Sequence, residues 1–281
     1  MHVCDTKSKL RTVLSNLRQG GKSIGLVPTM GFLHEGHLTL VRRARAENDY
    51  VVASIFVNPT QFGNLEDLEK YPRDMERDLD LLRQEGVVAV FTPTPDTMYH
   101  PDAQTIVETT DLANVLMGEL RPEHFRGVAT VVTKLFNIFQ PTRAYFGEKD
   151  YQQLMVIRTM ARDLDIPVDI CGVPTVREPD GLAMSSRNVR LTPEARKAAP
   201  IIAQALDAAQ DWVSKGIGAQ VLKQNIWDMI ASEHLADVQS IDIQDAWTLV
   251  PVTGHIEKDI VILVAVQFEP VLLIDQRVIT I

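Results

Sequence analysis

The sequence predicts an α/β fold in which a Rossmann-like, doubly wound parallel sheet is followed by a smaller C-terminal α+β domain. Apolar runs rich in β-branched residues alternate with longer helical patterns through the first two-thirds of the chain. This alternation is typical of a parallel sheet covered by helices on both faces. After Asn188 the order changes to helices and then strands. We therefore expect two domains, residues 1–176 and residues 177–281.

Strands and helices of the first domain are predicted from the length and spacing of the apolar runs. The predicted strands are residues 23–27, 50–57, 87–91, 105–107, 143–146 and 168–173. The predicted helices have apolar residues at three- and four-residue spacings and are residues 37–47, 73–85, 128–139 and 152–164. Such sheets bind ligands beyond the carboxyl ends of their strands, so functional motifs are expected directly after strands.

The second domain is predicted to contain two helices and three strands. Thr192 is the expected N-cap of the first helix, because Pro193 suits the first helical position, and this helix extends to about Lys215. The second helix covers about residues 219–233, and the strands are residues 239–243, 260–267 and 271–274.

Composition and charge exclude several classes of protein. The chain has 281 residues, 45% of them hydrophobic, and a net charge of −9, whereas nonspecific binding to nucleic acid needs massed Lys and Arg. Its cysteines, Cys4 and Cys171, form neither a disulfide framework nor a zinc or redox pair, which indicates a reducing, cytoplasmic setting. The sequence shows no signal-peptide pattern and no window of about 20 apolar residues, so we expect neither secretion nor membrane insertion.

The first strand leads directly into PTMGFLHEGH at residues 28–37. Gly31 and Gly36 let the backbone approach a ligand, and the following helix N-terminus offers N–H groups to a phosphate. His34 and His37 share a face of the first helical turn, from which both can reach an α-phosphate and donate hydrogen bonds. A structural role for the two histidines is the alternative. Zinc is disfavoured, because helical zinc ligands of metalloproteases are four residues apart.

The second strand ends in FVNPTQF at residues 56–62, which places two amide side chains at the same sheet edge. Asn58 and Gln61 can bind the hydroxyl and carboxylate groups of a small substrate. Because Asn-Pro commonly starts a turn, a simple turn is the alternative.

Two further segments, one around Lys149 and one at residues 181–188, are predicted to place a basic side chain in or next to a loop. Lys149 follows a strand and a glycine, at the expected start of a helix with Asp150 as N-cap, and suits a phosphate. Residues 121–162 hold seven basic and three acidic side chains, although exposed helix faces often carry such charges. In the segment 181–188, the Ser185 and Ser186 hydroxyls and the planar Arg187 guanidinium can bind phosphate oxygens, or the segment is a simple loop.

Six segments together resemble the pantoate–β-alanine ligase family over nearly the whole chain. They are PTMGFLHEGH at 28–37, FVNPTQF at 56–62, YPRD at 71–74, HFRGVATVVTKLFN at 124–137, YFGEKDYQQL at 145–154 and DGLAMSSRN at 180–188. The HxGH element and the Ser-Ser-Arg loop separately resemble the wider nucleotidyltransferase superfamily, including class I aminoacyl-tRNA synthetases. The segment FGEKDYQQL is much more specific for the pantoate–β-alanine ligase family than the HxGH element or the Ser-Ser-Arg loop.

The resemblance implies a two-step reaction in pantothenate and coenzyme A biosynthesis. ATP activates (R)-pantoate to an enzyme-bound pantoyl adenylate with release of pyrophosphate, and the β-alanine amine then attacks to give pantothenate and AMP. The resemblance further implies Mg²⁺ with the ATP, a cytoplasmic homodimer and a lid function for the C-terminal domain. No covalent protein nucleophile is inferred, and no nucleic-acid or membrane partner is expected.

The resemblance also assigns roles to individual residues. It makes His37 the proton donor and His34 a support for the phosphates. Gln61 is implied to bind pantoate and to lie close to β-alanine, Gln153 is implied to bind pantoate, and Asn58 is a further substrate-site candidate. The implied ATP-site residues are Met30, Gly31, Phe32, Leu33, His34, Glu35, Gly36, His37, Gly147, Glu148, Lys149, Asp150, Val176, Met184, Ser185, Ser186 and Arg187.

The metal ligands are not identified by the sequence. Mg²⁺ accompanying ATP neutralises the triphosphate and usually keeps several waters. Some family members carry paired acidic residues in the helix after the YPR element, whereas this chain has Arg77 and Asp78 there. Asp78 is therefore a weak candidate, and no dedicated protein metal site is predicted.

Two other functions fit part of the pattern. Another adenylyltransferase of the superfamily, acting on a phosphorylated acceptor, shares the histidine element but need not carry FGEKDYQQL or the pair Asn58 and Gln61. A nucleotide-binding sensor without turnover binds ATP and makes no product. Pantoate-dependent release of pyrophosphate separates the ligase from both.

Overall fold

The chain forms two units in a computed structural model that describes residues 1–63 and 65–281. The first unit comprises Met1–Gly147 and Gln152–Pro174, and the second comprises Glu148–Tyr151 and Thr175–Ile281. The inclusion of Glu148–Tyr151 in the second unit is a finding that no sequence pattern anticipates.

Six parallel strands form the sheet of the first unit. They are β1 (His2–Cys4), β2 (Ile24–Thr29), β3 (Tyr50–Ile55), β4 (Ala89–Phe91), β5 (Arg143–Gly147) and β6 (Asp169–Val173). Their order is β1-β4-β3-β2-β5-β6. β2 pairs in parallel with β3 on one side and with β5 on the other, so the order of the strands reverses there. The doubly wound parallel sheet predicted from the sequence is confirmed.

Successive residues of the central strands point into different cores. In β2, Leu26 belongs to a cluster that includes residues of the helices 7–17, 124–139 and 151–163. Its neighbour Val27 belongs to a second cluster with residues of the helices 35–47 and 75–84. Both faces of the sheet are therefore buried, which explains why its strands are almost continuously apolar.

Eight helices are described in the part of the chain up to Asp163. They are α1 (Lys7–Leu17), α2 (Glu35–Glu47), α3 (Leu65–Glu69), α4 (Met75–Gln84), α5 (Pro95–Met98), α6 (Met117–Leu120), α7 (His124–Phe139) and α8 (Tyr151–Asp163). The four helices predicted for this region correspond to α2, α4, α7 and α8. No helix in the described ranges is long and apolar enough to cross a membrane.

The predicted strand at residues 105–107 is wrong. The Val107 N–H donates to Thr130 Oγ1 at 3.0 Å, and the same hydroxyl donates to the Val107 carbonyl oxygen at 3.2 Å. One side chain of α7 therefore satisfies both main-chain groups that a neighbouring strand would otherwise bind. The short strand β1 was not predicted, because three residues are too few to produce a periodic pattern.

The second unit contains three helices and an antiparallel sheet. Its elements are α9 (Pro193–Ala198), α10 (Ile201–Ser214), α11 (Ala219–Ala231), β7 (Asp237–Asp245), β8 (Ile260–Phe268) and β9 (Val271–Ile279). The strand order is β7-β8-β9. Residues of α10 and α11, such as Leu206 and Ile226, share a core with Ile262 of β8. Helices packed on a small sheet confirm the predicted α+β character.

The first helix of this unit begins as predicted but ends early. Thr192 Oγ1 accepts a hydrogen bond from the Ala195 N–H at 3.2 Å, and Pro193 occupies the first helical position. The predicted continuous helix to Lys215 is wrong, because Pro200 separates α9 from α10. Proline lacks the N–H that would continue the helical hydrogen bonds.

Candidate active site

The predicted motifs of the first unit follow three neighbouring strands. Met30–His34 link β2 to α2, Asn58 and Gln61 come after β3, and Gly147 ends β5. Because β3 and β5 both pair with β2, these residues gather at the carboxyl edge of the sheet where the strand order reverses. Doubly wound sheets bind their ligands at this position.

The loop between β2 and α2 is held by a buried carboxylate of α4. Asp78 is only 1% exposed. Its Oδ2 accepts a hydrogen bond from the Phe32 N–H at 2.6 Å, and its Oδ1 accepts one from the Leu33 N–H at 2.7 Å. Burial raises the pKa of the Asp78 carboxyl, while the two main-chain donors act in the opposite direction. Asp78 is thus an anchor for the loop.

The bonds of Asp78 leave little support for a metal-binding role. Both of its oxygens are directed at main-chain N–H groups. Among residues 1–63 and 65–281, no group of three His, Cys, Asp or Glu side chains is arranged to hold a metal ion. The described residues therefore do not fit a dedicated, protein-held magnesium site.

His34 and His37 cap the start of α2 reciprocally. His34 is the N-cap residue, and its Nδ1 accepts a hydrogen bond from the Gly36 N–H at 3.2 Å. His37 Nδ1 accepts one from the His34 N–H at 3.3 Å. An Nδ1 that accepts a hydrogen bond carries no proton, so each neutral ring is protonated on Nε2. The ring centroids are 4.2 Å apart. The histidines thus combine a structural role with the geometry of a pair of Nε2–H donors.

The carboxylate of Glu35, predicted at the ATP site, is engaged by another side chain of α2. It pairs with the Arg42 guanidinium, which also binds Glu85 Oε1 at 2.6 Å. Any contact of Glu35 with a nucleotide is therefore expected from its main chain.

Asn58 is the N-cap of a 3₁₀ turn, Pro59–Gln61, and contacts Gln61 at the end of that turn. Asn58 is 1% exposed, and its Nδ2 donates to Gln61 Oε1 at 3.1 Å and to the Gly127 carbonyl at 3.2 Å. Gln61 Nε2 lies 3.2 Å from Met30 Sδ, so the structure brings Gln61 against the loop after β2. Asn58 has the turn role that the sequence left open, and its direct contact with substrate stays a prediction.

The two adjacent glutamines of α8 differ in their surroundings. Gln152 is 5% exposed and donates to the carbonyls of Leu112 and Val115, at 2.9 and 2.8 Å. Its Oε1 accepts from the Met117 N–H at 3.1 Å. Gln152 therefore fixes the segment 112–117, a function that sequence reasoning missed. Gln153, the predicted pantoate ligand, is half-buried.

Gly147 stands beside open space at the end of β5. Apart from Gly147 and its two chain neighbours, no described residue has an atom within 4 Å of a Cβ built on this residue, and its φ lies outside the left-handed region. Neither packing nor backbone conformation therefore explains a glycine here. Close approach of a nucleotide to the Gly147 main chain stays a prediction.

In the second unit, Lys149 stands just before α8. It belongs to a 3₁₀ turn, Glu148–Asp150, and its side chain is 17% exposed with Nζ 3.9 Å from Asp150 Oδ1. The structure therefore places a compact positive charge at the amino end of a helix, as the sequence predicts.

A hairpin of the second unit leads into the Ser-Ser-Arg segment. The Met184 N–H donates to the Val176 carbonyl at 2.9 Å, and Arg177 pairs with Ala183 across the turn. Ser185 Oγ then accepts from the Arg187 N–H at 3.2 Å. The predicted residues Val176 and Met184–Arg187 are thus close neighbours within this unit.

A buried ion pair holds this hairpin to the antiparallel sheet. Arg177 binds Asp275 of β9 with two hydrogen bonds, of 2.6 and 3.0 Å, and also donates to the Gly181 carbonyl at 3.1 Å. Asp275 is only 4% exposed. Sequence reasoning missed this pair, because its members lie 98 residues apart and neither stands in a periodic pattern.

Comparisons with known proteins identify the family of the chain. A sequence profile described as "Pantoate-beta-alanine ligase" matches residues 2–278. The chain belongs to the pantoate–β-alanine ligase family. A family member from Rhizobium meliloti (strain 1021), named pantothenate synthetase, is 52% identical over 280 residues, which cover 99% of this chain and 96% of the relative. The pantothenate synthetase of Thermotoga neapolitana is 50% identical over 279 residues, 99% of each chain.

Solved structures of the pantoate–β-alanine ligase family share the fold. The pantothenate synthetase from Thermus thermophilus has a TM-score of 0.93 at 45% identity, covering 99% of both chains. The ligase from Francisella tularensis, complexed with "Beta-gamma ATP and Beta-alanine", has a TM-score of 0.80 at 34% identity, covering 99% of this chain and 97% of that chain. These matches confirm the resemblance, the fold class and the expected ligase function. They favour neither the phosphorylated-acceptor transferase nor the sensor.

Replacing Asp78 by Asn is expected to lower the free energy of unfolding by about 1–3 kcal/mol. The asparagine NH₂ group would face one of the two main-chain donors of the loop, and the KM for ATP should rise because this loop leads into the two histidines. Thermal unfolding without ATP and steady-state kinetics measure the two effects. Asp80→Asn is the matched control, because Asp80 lies on the same helix with its side chain 58% exposed. Equal effects of the two substitutions would contradict the anchoring role.

Replacing Asp275 by Asn is expected to lower the free energy of unfolding by about 3–5 kcal/mol, since it leaves the partly buried Arg177 without its charged partner. Denaturant unfolding measures the change. The control is Asp207→Asn, which also removes the acid of an Asp–Arg pair in the second unit, but at a side chain that is 66% exposed. This control should be nearly neutral, and a similar loss in both variants would refute the importance of the buried pair.

Proposed function

We propose that the chain forms pantothenate, AMP and pyrophosphate from (R)-pantoate, β-alanine and ATP through an enzyme-bound pantoyl adenylate. The observation that carries this proposal is the contact between Gln61 and Met30, 3.2 Å from Nε2 to Sδ. It joins the substrate motif after β3 to the histidine motif after β2, in a chain that belongs to this family over residues 2–278.

The chemistry requires activation because a carboxylate is a poor electrophile. A pantoate carboxylate oxygen attacks the α-phosphorus of ATP, and the bond to the pyrophosphate oxygen breaks. The β-alanine amine then attacks the acyl carbon, loses a proton, and AMP leaves. Holding two anions in line and spreading the charge of the α-phosphate are the main tasks of such an enzyme.

His34 and His37 are suited to the first of these steps. Their neutral rings carry the proton on Nε2, because each Nδ1 accepts a main-chain hydrogen bond. They stand at the amino end of α2, a 13-residue helix, and such helix ends favour anions. We assign His37 as the proton donor and His34 as a donor to the phosphates. The main chain of Met30–Gly36 completes this part of the ATP site.

The remaining residues are assigned by their chemistry and by the family resemblance. Gln61 and Gln153 bind pantoate, with Gln61 also close to β-alanine. Gly147 offers its main chain to the nucleotide. In the second unit, we assign phosphate or nucleotide contacts to a set with two basic side chains, two acidic side chains and two hydroxyls, comprising Glu148, Lys149, Asp150, Val176, Met184, Ser185, Ser186 and Arg187. We assign the lid function to residues 177–281.

No protein side chain is proposed as a covalent nucleophile. Cys4 and Cys171 are free thiols, and burial raises the pKa of both, which keeps them in the poorly nucleophilic thiol form. Free thiols also accord with the proposed cytoplasmic setting.

Mg²⁺ is proposed to arrive with ATP, held by the phosphates and water, since the described residues offer no dedicated cage for it. The homodimer is proposed on the family resemblance alone.

The assay that tests the function supplies ATP and Mg²⁺ with pantoate and β-alanine each present or absent. We expect pantothenate, AMP and pyrophosphate in equal amounts only with both substrates, and about one equivalent of pyrophosphate per enzyme with pantoate alone. ATP binding without any product would support the sensor instead. Product formation only with a phosphorylated acceptor would support the other transferase.

A substitution pair separates the catalytic and capping roles of His37. His37→Asn keeps an acceptor near the position of Nδ1 but loses the Nε2–H donor, so adenylate formation should slow about 100-fold or more with little loss of stability. His37→Ala loses both features and should be less stable as well. Single-turnover release of pyrophosphate and thermal unfolding measure the two effects. An unaltered adenylation rate in His37→Asn would remove His37 from its proposed role.

A further inference from the structure

Tyr99 contacts the turn that contains Gln61. It belongs to none of the sequence motifs that predict functional residues. Its hydroxyl donates to Asn58 Oδ1 at 2.7 Å and lies 3.2 Å from Thr60 Oγ1. Its ring is 6.3 Å from that of Phe56, centroid to centroid. We propose that Tyr99 is a positioning residue that fixes, through Asn58, the direction in which Gln61 presents its carboxamide to the pantoate substrate. This inference rests on the proposed function.

The orientation of the Asn58 carboxamide is determined by groups that permit only one arrangement. The Gly127 carbonyl oxygen can only accept, so the NH₂ group of Asn58 must face it, at 3.2 Å. Oδ1 then faces two hydroxyls, Tyr99 Oη at 2.7 Å and Thr60 Oγ1 at 3.0 Å, and also accepts from the Thr60 N–H at 3.4 Å. Because an amide oxygen cannot donate, both hydroxyls donate to it. The Tyr99 bond is the shorter of the two.

The orientation of Asn58 in turn determines that of Gln61. The second N–H of Asn58 donates to Gln61 Oε1 at 3.1 Å, so the NH₂ group of Gln61 points away from Asn58. That group lies 3.2 Å from Met30 Sδ, and a thioether sulfur is a weak acceptor. The N–H groups of Gln61 therefore face away from Asn58 and lie beside a weak acceptor. A carboxylate or hydroxyl oxygen of a substrate would be a stronger partner for them than the Met30 sulfur.

The main chain of the turn is fixed independently of Tyr99. His124 Nδ1 lies 2.7 Å from the Gln61 carbonyl oxygen. A Cβ built on Gly127 would lie 2.4 Å from the Thr60 carbonyl oxygen, so α7 approaches the turn backbone to backbone. Loss of the Tyr99 hydroxyl is therefore expected to loosen the side chains of Asn58 and Gln61 while the turn stays in place.

The variant that tests this role is Tyr99→Phe, which removes only the hydroxyl. We expect the KM for pantoate to rise about fivefold to tenfold, in line with the loss of one buried hydrogen bond, while the KM for ATP stays near that of the unchanged protein. The matched control is Tyr145→Phe, since the Tyr145 hydroxyl also has two partners, Asn48 at 2.7 Å and Glu47 at 2.9 Å. A rise in the KM for pantoate of the same size in both variants would refute the proposal.

A double substitution distinguishes positioning from a general structural effect. In a Gln61→Ala background, Tyr99→Phe should cause no further rise in the KM for pantoate, because its effect passes through the missing carboxamide. If the effects of the two substitutions multiply, Tyr99 does not act through Gln61.

A spectroscopic measurement tests the orientation whether or not the chain turns out to use pantoate. The side-chain NH₂ resonances of Gln61 in ¹⁵N-labelled protein are assigned by their loss in Gln61→Ala. They should broaden or shift in Tyr99→Phe and stay unchanged in Tyr145→Phe. Unchanged Gln61 resonances in Tyr99→Phe would overturn the inference even if the pantoate assay succeeds, and a changed spectrum with no pantoate activity would count against the proposed function alone.

Discussion

The buried Asp78 carboxylate is the constraint on which the rest of the site depends. The loop it holds contains two consecutive residues with positive φ, Gly31 at 86° and Phe32 at 51°. The left-handed conformation costs a residue other than glycine about 1–2 kcal/mol, so Phe32 needs compensation, and the two N–H bonds to Asp78 supply it. The end of this loop is the N-cap of α2. Asp78 of α4 thus maintains the shape of the loop that ends at His34. The reciprocal capping of His34 and His37, which leaves the proton of each ring on Nε2, depends on that loop shape.

The sequence predicts an element of the fold well where the residues of that element alone carry the signal. The buried parallel strands are apolar runs of the expected length, and Thr192 with Pro193 marks a helix start by its own chemistry. The failures have equally specific causes. A single hydroxyl, that of Thr130, replaces the neighbouring strand that Val107 would have needed. Pro200 interrupts a helix whose apolar spacing continues on both sides. In the first case the decisive partner lies outside the segment, and in the second a single residue outweighs the periodicity.

For the site as well, features that depend on one segment could be predicted, and features that depend on a partner in a distant segment could not. The spacing of His34 and His37 predicts that they share a helix face, and their rings do lie 4.2 Å apart. Asp78 has no such local signal. Its partners are 45 and 46 residues away, so the sequence indicates Asp78 only as a candidate metal ligand. Tyr99 likewise reaches Asn58 across 41 residues. Hydrogen bonds between distant segments determine which polar residues support the site, and a single sequence carries no record of these pairings.

A common arrangement of amide side chains follows from these contacts. In both predicted substrate motifs, a nearly buried amide uses its donors and acceptor within the protein, and the amide assigned to substrate is close by in the chain. Asn58 binds the Gly127 carbonyl and the Tyr99 hydroxyl beside Gln61, and Gln152 fixes the segment 112–117 beside Gln153. A buried carboxamide with unmet hydrogen bonds is costly, so its orientation is strongly determined. At Asn58, a rigid, fully bonded amide can thus hold Gln61, to which it donates, ready for an oxygen-rich substrate, with less conformational entropy to lose on binding.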